Sequence, residues 1–391
     1  MSRFRLMHRC WSFVDERLKK WCGYYAARHH TTHAICRQRN RFQPLYSQQL
    51  MMMQSNSSDP QLDAFLVEHG LARKDEAASW HPLTGGVSSD IWRVDLPTRS
   101  LCVKRALSTL KVSACWEAPV SRNADEWAWM EFAAQHCPDN VPTPLAHDAK
   151  LGVFVMSFLA PDAHPVWKQQ LMDGQVEPQT ARAVGRLVGR LHAVSADNGE
   201  LRERFDTLDN FRALRLDPYL IATSKRHPDL ESRLQYLAQR TASIRTALVH
   251  GDVSPKNILV GPKGPVLLDA ECAWFGDPAF DLAFCLNHLL LKCLVRPGQR
   301  EALVASFKAL TEAYFDEADW ELRATLEARI AELLPALLLA RVDGKSPVEY
   351  LTDEAQRNHV RAVATRLLLQ PAGYLYQVAE VFEEQIQSRP A

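Results

Sequence analysis

Apolar positions follow two different periods along the chain, and the change of period separates a strand-rich part from a helical part. Residues 60–70 form an amphipathic pattern typical of a short helix, and 122–136 again have helical spacing. Between and after these helices the alternation of polar and apolar residues predicts strands at 80–83, 91–95, 101–104 and 151–159. The pattern predicts a small antiparallel sheet with one inserted helix, ending near residue 160.

Beyond residue 160 the apolar residues recur at helical spacing, as Val184, Leu187, Val188 and Leu191 do. Further helices are predicted at 228–246, 279–294, 300–314, 318–340 and 354–368. The clear strand signal in this half is a hairpin at 257–269. We therefore predict an α+β protein with a small β-rich lobe at 59–160 and a larger helical lobe at 161–391.

The predicted hairpin brings polar side chains together. Asn257 begins its first strand, residues 261–264 form the turn, and Asp269 ends the returning strand. Because antiparallel strands lie about 4.8 Å apart, Asn257 and Asp269 are expected to be neighbours at the open end. The preceding His250-Gly251-Asp252 adds a second carboxylate at the same place. Two carboxylates and an amide oxygen are ligands that Mg²⁺ prefers.

Phosphoryl transfer requires such a set of side chains. An Asp receives the proton of the acceptor hydroxyl, while an Asn and a second Asp hold Mg²⁺ against the phosphates. Taken singly, Asp252 and Asn257 could cap turns and Asp269 could end a strand. Together, at this spacing around a hairpin, the three residues favour a catalytic site.

Three motifs resemble the aminoglycoside phosphotransferase family, which belongs with choline kinase and methylthioribose kinase in the protein-kinase-like fold. They are H-G-D-V-S-P-K-N-I-L at 250–259, L-D-A-E at 268–271 and G-D-P-A-F-D-L-A at 276–283. The resemblance covers roughly residues 75–300. It implies an ATP-dependent kinase with a two-lobed fold and with ATP and Mg²⁺ as cofactors.

The resemblance also implies roles for single residues. Asp252 would be the catalytic base, Asn257 and Asp269 the magnesium ligands, and His250 and Asp281 structural supports of the catalytic loop. The D-x-E form resembles methylthioribose and choline kinases, in which it implies that Glu271 makes an additional metal contact. A solvent-exposed or helix-capping Glu271 is the alternative.

The distance between two motifs bears on the acceptor. Only eleven residues separate Asp269 from Asp281, too few for the long segment on which a peptide substrate docks in protein kinases. We therefore expect a small-molecule hydroxyl acceptor: a sugar-like alcohol, an aminoglycoside or an amino alcohol. A catalytically silent pseudokinase or scaffold is the rival interpretation, although none of the catalytic side chains is missing.

The nucleotide is expected to bind in the first lobe. Gly85 and Gly86, with Ser88, would let backbone N–H groups approach the phosphates. Lys104 ends an apolar strand where the kinase pattern has the lysine that contacts the α- and β-phosphates. Its partner is predicted to be Glu126, with Glu131 as the alternative. Met156, Ser157 and Phe158 would form the hinge that meets adenine.

The acceptor site is harder to predict. Arg341 is expected in a late loop between helices, in a position that resembles the paired-arginine segment of methylthioribose kinase, although only one arginine is present. His164 and Trp167 follow the hinge and would line the substrate cleft or pack against it.

Charge and cysteine content narrow the cellular setting. Residues 1–58 hold eight Arg and two Lys against Asp15 and Glu16, so the remainder carries about −8, and nothing favours a nucleic-acid partner. The nine cysteines are dispersed, as in a reducing compartment, and no apolar run reaches the ~20 residues of a membrane span. We expect a soluble, cytoplasmic protein of undetermined oligomeric state. The basic leader at 1–58 is expected to be poorly ordered, with an organelle-targeting role as the alternative.

Overall fold

A computed structural model describes residues 59–83, 89–107 and 120–387 of the 391-residue chain. The leader at 1–58 and the phosphate-loop residues Gly85, Gly86 and Ser88 lie outside the described residues. The predictions made for them remain predictions.

The first part of the structure is a five-stranded antiparallel sheet in the order β1-β2-β3-β5-β4. Helix α1 (Pro60–Glu68) precedes it and begins at Asp59, whose carboxylate accepts from the Gln61 N–H at 3.1 Å. The strands are β1 (Ser79–Pro82), β2 (Ser89–Leu96), β3 (Arg99–Ala106), β4 (Pro144–Asp148) and β5 (Val153–Ser157). Helix α2 (Arg122–His136) is inserted between β3 and β4, as the sequence predicts.

The sheet has a separate apolar core on each side. Leu62, Phe65 and Leu66 of α1 pack with Val94 and Val103 of the strands in one core. Trp129 of α2 and Phe154 of β5 instead belong to the core of the helical part. Helix α2 therefore connects the sheet to the rest of the molecule, and the residues it shares with the sheet are fixed relative to both.

The second part is mainly helical, which confirms the predicted α+β class. Its helices are α3 (Trp167–Met172), α4 (Pro178–Ser195), α5 (Gly199–Arg204), α6 (Leu208–Phe211), α7 (Ala222–Ser224), α8 (Glu231–Ser243), α9 (Ala279–Val295), α10 (Arg300–Phe315), α11 (Arg323–Asp343), α12 (Glu354–Leu369) and α13 (Leu375–Gln387). A π-helical stretch, Arg212–Ile221, joins α6 to α7. Four short 3₁₀ turns complete the described part: Pro138–Asn140, Pro228–Leu230, Pro255–Asn257 and Pro297–Gln299.

Helices α4 and α10 pack closely because a glycine lies at their contact. A Cβ atom at Gly185 would lie 2.1 Å from the backbone oxygen of Leu310, so a larger residue would force the helices apart. The close approach brings His192 of α4 within 2.9 Å of the Tyr314 hydroxyl of α10.

Two small antiparallel sheets surround the segment that carries the motifs. Strands β6 (Ala247–Val249) and β9 (Trp274–Gly276) pair with each other, and β7 (Ile258–Gly261) pairs with β8 (Gly264–Leu267). The hairpin was predicted, but Asn257 closes a 3₁₀ turn and does not begin the strand. No helix within the described ranges is long and apolar enough to cross a bilayer.

Candidate active site

Asp252 lies in a loop that leaves β6 and enters the hairpin. The loop turns at Gly251, whose φ of +79° is a conformation that favours glycine. A Cβ atom there would also lie 2.6 Å from the Cys272 backbone oxygen. Both constraints explain why the motif has a glycine directly before the acid.

Asp281, at the start of α9, holds this loop from beneath. Its fully buried carboxylate accepts from the backbone N–H groups of His250 at 2.7 Å and Gly251 at 2.8 Å. It also lies 3.2 Å from Nε2 of His192, whose Nδ1 lies 2.9 Å from the Tyr314 hydroxyl. The loop is thereby tied to α4, α9 and α10, in the position proposed for a structural support.

His250 lies within the protein and does not face the cleft as a charged group. Its Nδ1 accepts from the Asp252 N–H at 3.1 Å, and its ring meets Trp129 of α2 edge to face, with centroids 4.7 Å apart. Burial lowers the pKa of His250, which favours the neutral ring that this hydrogen bond requires. His250 therefore connects the loop to α2.

The two oxygens of Asp252 have different surroundings. Oδ2 lies 2.7 Å from Nη2 of Arg215 and 3.2 Å from Nζ of Lys256. Oδ1 is buried and has no hydrogen-bond partner in the described structure. Burial acts to raise the pKa of Asp252, but Arg215 and Lys256 outweigh it and hold the pKa below its usual value. The carboxylate is thus fixed by one oxygen and can receive a ligand hydroxyl on the other.

Asn257 and Asp269 lie side by side at the open end of the hairpin. Ile258 pairs with Leu267, and the Leu268 N–H donates to the Asn257 backbone oxygen at 2.9 Å. Nδ2 of Asn257 donates to the backbone oxygen of Asp252 at 3.1 Å, so its amide oxygen is left for another ligand. Asp269 follows with φ of +68°, a conformation uncommon outside glycine. This left-handed turn redirects the chain just where the carboxylate is needed.

Lys104 connects the sheet to this end of the hairpin. Its Nζ lies 2.7 Å from Oε1 of Glu126 and also donates to Oδ1 of Asp269. Burial acts to lower the pKa of Lys104, but the carboxylates of Asp269 and Glu126 outweigh it and keep the lysine charged. The structure therefore pairs Lys104 with Glu126 of α2, as the sequence predicts. Glu131 instead contacts Arg204 at 3.2 Å.

Glu271 is buried next to the same site. Its carboxylate lies 3.0 Å from Nε of Arg122, so the alternatives of an exposed or helix-capping Glu271 are wrong. Within the described ranges no three His, Cys, Asp or Glu side chains form a metal-binding group by themselves. The amide oxygen of Asn257 with the carboxylates of Asp269 and Glu271 is nevertheless a set of hard oxygen donors, and such a set fits Mg²⁺.

The hinge residues lie at the end of β5, next to the motif region. Met156 and Ser157 are the last two residues of the strand, and Phe158 follows with the Arg93 guanidinium 4.9 Å above its ring centroid. The Ser157 N–H donates to the Thr143 oxygen, and the Ser157 hydroxyl oxygen accepts from the Thr143 N–H, each at 2.9 Å. The Ser157 N–H is therefore already used.

The three predicted acceptor residues have different positions from those expected. Arg341 lies in the last turn of α11, not in a loop, because the helix continues to Asp343. Trp167 is 1% exposed and belongs to the helical core, so it does not line an open cleft. His164 packs against the β7–β8 turn, where a Cβ atom at Gly261 would lie 2.7 Å from its Cδ2.

Three cations of the site were not identified from the sequence: Arg122, Arg215 and Lys256. Lys256 lies inside the quoted motif, four residues after Asp252, and this spacing was a usable signal. Arg215 lies 37 positions before Asp252 in the π-helical stretch. Its pairing depends on tertiary structure, and no local pattern marks it.

Comparison with known proteins agrees with this geometry. The sequence family described as "Phosphotransferase enzyme family" matches residues 79–321, more than half of the chain. The methylthioribose kinase of Bacillus mycoides (strain KBAB4) is 25% identical over 276 residues, which are 64% of this chain and 70% of the relative.

Solved structures show the same fold. An amicoumacin kinase, hAmiN, in complex with AMP-PNP, Ca²⁺ and Ami has a TM-score of 0.51 at 13% identity, over 83% of this chain and 100% of that one. A choline/ethanolamine kinase family protein from Mesorhizobium loti has a TM-score of 0.49 at 17% identity, over 84% and 99%. The chain therefore belongs to the phosphotransferase enzyme family, which confirms the resemblance drawn from its motifs.

Proposed function

We propose that the protein transfers the γ-phosphoryl group of Mg–ATP to a hydroxyl of a small molecule. The observation that carries this proposal is the convergence of Asp252, Asn257 and Asp269 at one end of the hairpin, with Lys104 in contact with Asp269. The nucleotide would bind to the lobe at 59–160 and the acceptor to the lobe at 161–391.

In the transfer step the acceptor oxygen forms a bond to the γ-phosphorus as the bond from that phosphorus to the β–γ bridging oxygen breaks, and ADP leaves. The hydroxyl proton passes to Asp252 and then to solvent. Oδ1 of Asp252 is the atom that would meet the hydroxyl, because Oδ2 is held by Arg215 and Lys256. A carboxylate with a lowered pKa is a weak base, so its main effect is to orient the nucleophile until the proton becomes acidic in the transition state.

Binding of the nucleotide would depend on the other residues. Asn257, Asp269 and Glu271 would hold Mg²⁺, which when bound neutralises charge on the phosphates. Lys104 would contact the α- and β-phosphates, aimed by its ion pair with Glu126. Gly85, Gly86 and Ser88 would add backbone and hydroxyl donors. The hinge contact with adenine would fall to the backbone around Met156 and Phe158.

The test is Asp252→Asn in the full chain, which keeps the shape of the side chain and removes its charge. We expect turnover to fall by about 10²- to 10⁴-fold, the range of general-base contributions, with Mg–AMP-PNP affinity nearly unchanged. The first readout is a gain of one phosphate by hydroxyl compounds in mass spectrometry, and the second is calorimetry of nucleotide binding. Exposed Asp209 provides the matched control, Asp209→Asn. Equal turnover of the two variants, or an equal loss of nucleotide affinity with turnover in D252N, contradicts the assignment.

A further inference from the structure

Several cations lie beside Asp252 in numbers that the transfer step does not require. His288 of α9 is buried among them, and burial together with four nearby positive charges lowers its pKa. We call this set the cationic cluster; it consists of Lys168, Arg215, Lys256, Lys292 and Arg341, arranged around His288.

An unbroken line of contacts runs from the catalytic carboxylate to the cluster. Arg215 binds Asp252 and lies with its Cζ 5.9 Å from the centroid of the Tyr219 ring. Arg341 lies 5.5 Å from that ring, and its Nη1 donates to the Tyr219 hydroxyl at 3.0 Å. One aromatic ring therefore separates the Arg341 guanidinium from the one that holds the catalytic base. This spacing is within the reach of a small molecule.

Two of these cations are buried without a negative partner among the described residues. Arg341 donates to the neutral oxygens of Tyr219 and Ser346, and its Nε is buried with no acceptor. Lys292 is 0% exposed, and its Nζ has no hydrogen bond and lies 4.6 Å above the Tyr350 ring centroid. The acids near the cluster are already paired, because Asp252 binds Arg215 and Glu349 binds Lys168.

An unpaired buried ammonium is costly, and the fold retains one here. Burial, the largest cause, lowers the pKa of Lys292 to about 7. The face of Tyr350 compensates for a part of the lost hydration, and a purely structural lysine would have to rely on that contact. An anion beside Lys292 and Arg341 would compensate for far more.

We propose that the acceptor carries an acidic group in addition to its hydroxyl, and that Arg341 and Lys292 recognise that group while the hydroxyl meets Asp252. This inference rests on the proposed function and names its substrate class, a hydroxy acid or hydroxyalkyl phosphate. A cationic amino alcohol or aminoglycoside would enter the same region against an excess of positive charge.

The test compares pairs of compounds that differ only in the acidic group, on the full chain with Mg–AMP-PNP bound. The pairs are D-gluconate with sorbitol, D-glycerate with glycerol, and glycerol 3-phosphate with glycerol; choline is the cationic probe. Calorimetry should show the acidic member of at least one pair binding tenfold or more tightly than its neutral partner, with choline weakest. With ATP, the same acidic compound should gain one phosphate in mass spectrometry. A response confined to D-gluconate and D-glycerate indicates a carboxylate, and one confined to glycerol 3-phosphate indicates a phosphate.

Variants of the cluster separate recognition from folding. Lys292→Met and Arg341→Gln should each weaken binding of the preferred acidic compound at least tenfold and leave its neutral partner unchanged. Lys292→Met should also raise the melting temperature, because it removes a buried ammonium that has no partner; a structural lysine would give a lower melting temperature and unchanged selectivity. Exposed Lys345, in the loop after α11, provides the control Lys345→Met, which should change neither.

Two results would overturn the inference. One is tighter binding of the neutral or cationic compounds, and the other is no binding of any acidic probe to the Mg–AMP-PNP complex. In both cases the proposed function would stand. Failure of the native chain to bind Mg–AMP-PNP would instead count against the proposed function, so the two failures are distinguishable.

Discussion

Replacement of Asp281 by Asn tests how the fold positions the catalytic loop. Asp281 is fully buried and its two oxygens accept from the His250 N–H, the Gly251 N–H and Nε2 of His192. Asparagine is nearly the same size, but it keeps one acceptor oxygen and presents an NH₂ group in place of the other. At least one of the two backbone N–H groups must then face a donor.

The size of the effect follows from these contacts. A buried donor left without an acceptor costs about 1–3 kcal/mol, and hydrogen bonds that lose a charged partner become weaker. We therefore expect Asp281→Asn to lower the free energy of unfolding by about 2–4 kcal/mol. Because Asp252 directly follows the two released N–H groups, its carboxylate should also lose its fixed orientation. Turnover should fall by at least tenfold even where the protein is fully folded.

The assay combines urea denaturation followed by tryptophan fluorescence with steady-state kinetics at a temperature where the variant is folded. Asp277→Asn is the matched control. Asp277 is also buried and precedes α9, but it binds Arg329 and the Ala279 N–H at 3.1 Å each and does not contact the loop. We expect Asp277→Asn to lose stability and keep its turnover per folded molecule.

Two results would refute this reasoning. A change below about 0.5 kcal/mol, typical of surface positions, would mean that the loop does not depend on Asp281. A turnover loss of the same size in Asp277→Asn would mean that general destabilisation, and not the released loop, lowers activity.

Other expected outcomes follow from the same contacts. Asp269→Ala should weaken Mg²⁺-dependent nucleotide binding, measured by calorimetry with and without metal, because the site loses a charged oxygen donor; equal loss without metal would contradict this. Lys104→Met should raise the Michaelis constant for ATP and lower turnover, Glu126→Gln should do so by less, and the double variant should cost less than the sum; fully additive effects would mean that the 2.7 Å contact does not aim the lysine. Lys292→Met should remove a pH dependence of stability. Between pH 7 and the usual lysine pKa of 10.5 the unfolded chain binds a proton that the folded chain has released, so native stability rises with pH there. The stabilisation by Lys292→Met should thus be largest at pH 7 and below and shrink towards pH 10, while Lys168, Arg341, Glu349 and Cys285 remain present in both proteins; a pH-independent difference would contradict this. Removal of residues 1–50 should leave the melting temperature and turnover unchanged, because the composition changes after Met51; a large drop in either would show that the leader stabilises the body.

The sequence predicted those parts of the structure that depend on local spacing. The alternation in β2 and β3 and the helical spacing in α4 and α9 each reflect burial on one or more faces of a single element. The hairpin predicted the contact of Asn257 with Asp269, because strand pairing fixes which residues are neighbours.

Features that depend on distant parts of the chain were missed. Strands β6 and β9 have three residues each, too few to show a period. Strand β4 begins at Pro144, a residue that counts against strands in sequence analysis. The partners of the catalytic loop, Arg215 and His192, lie on separate helices. Only the packing of those helices gives either residue a role.

The π-helical stretch Arg212–Ile221 has a consequence for how specificity can change during evolution. It carries Arg215 and Tyr219, and its Pro218 oxygen accepts from the Lys345 N–H just after α11. Its backbone hydrogen bonds span one residue more than those of an α-helix, so the directions of its side chains depend on the number of residues as well as on their identity. A one-residue deletion here would turn Arg215 and Tyr219 relative to each other while leaving both residues in the sequence. Insertions and deletions in this segment, and not substitutions alone, are therefore the changes to examine when homologues with different acceptors are aligned.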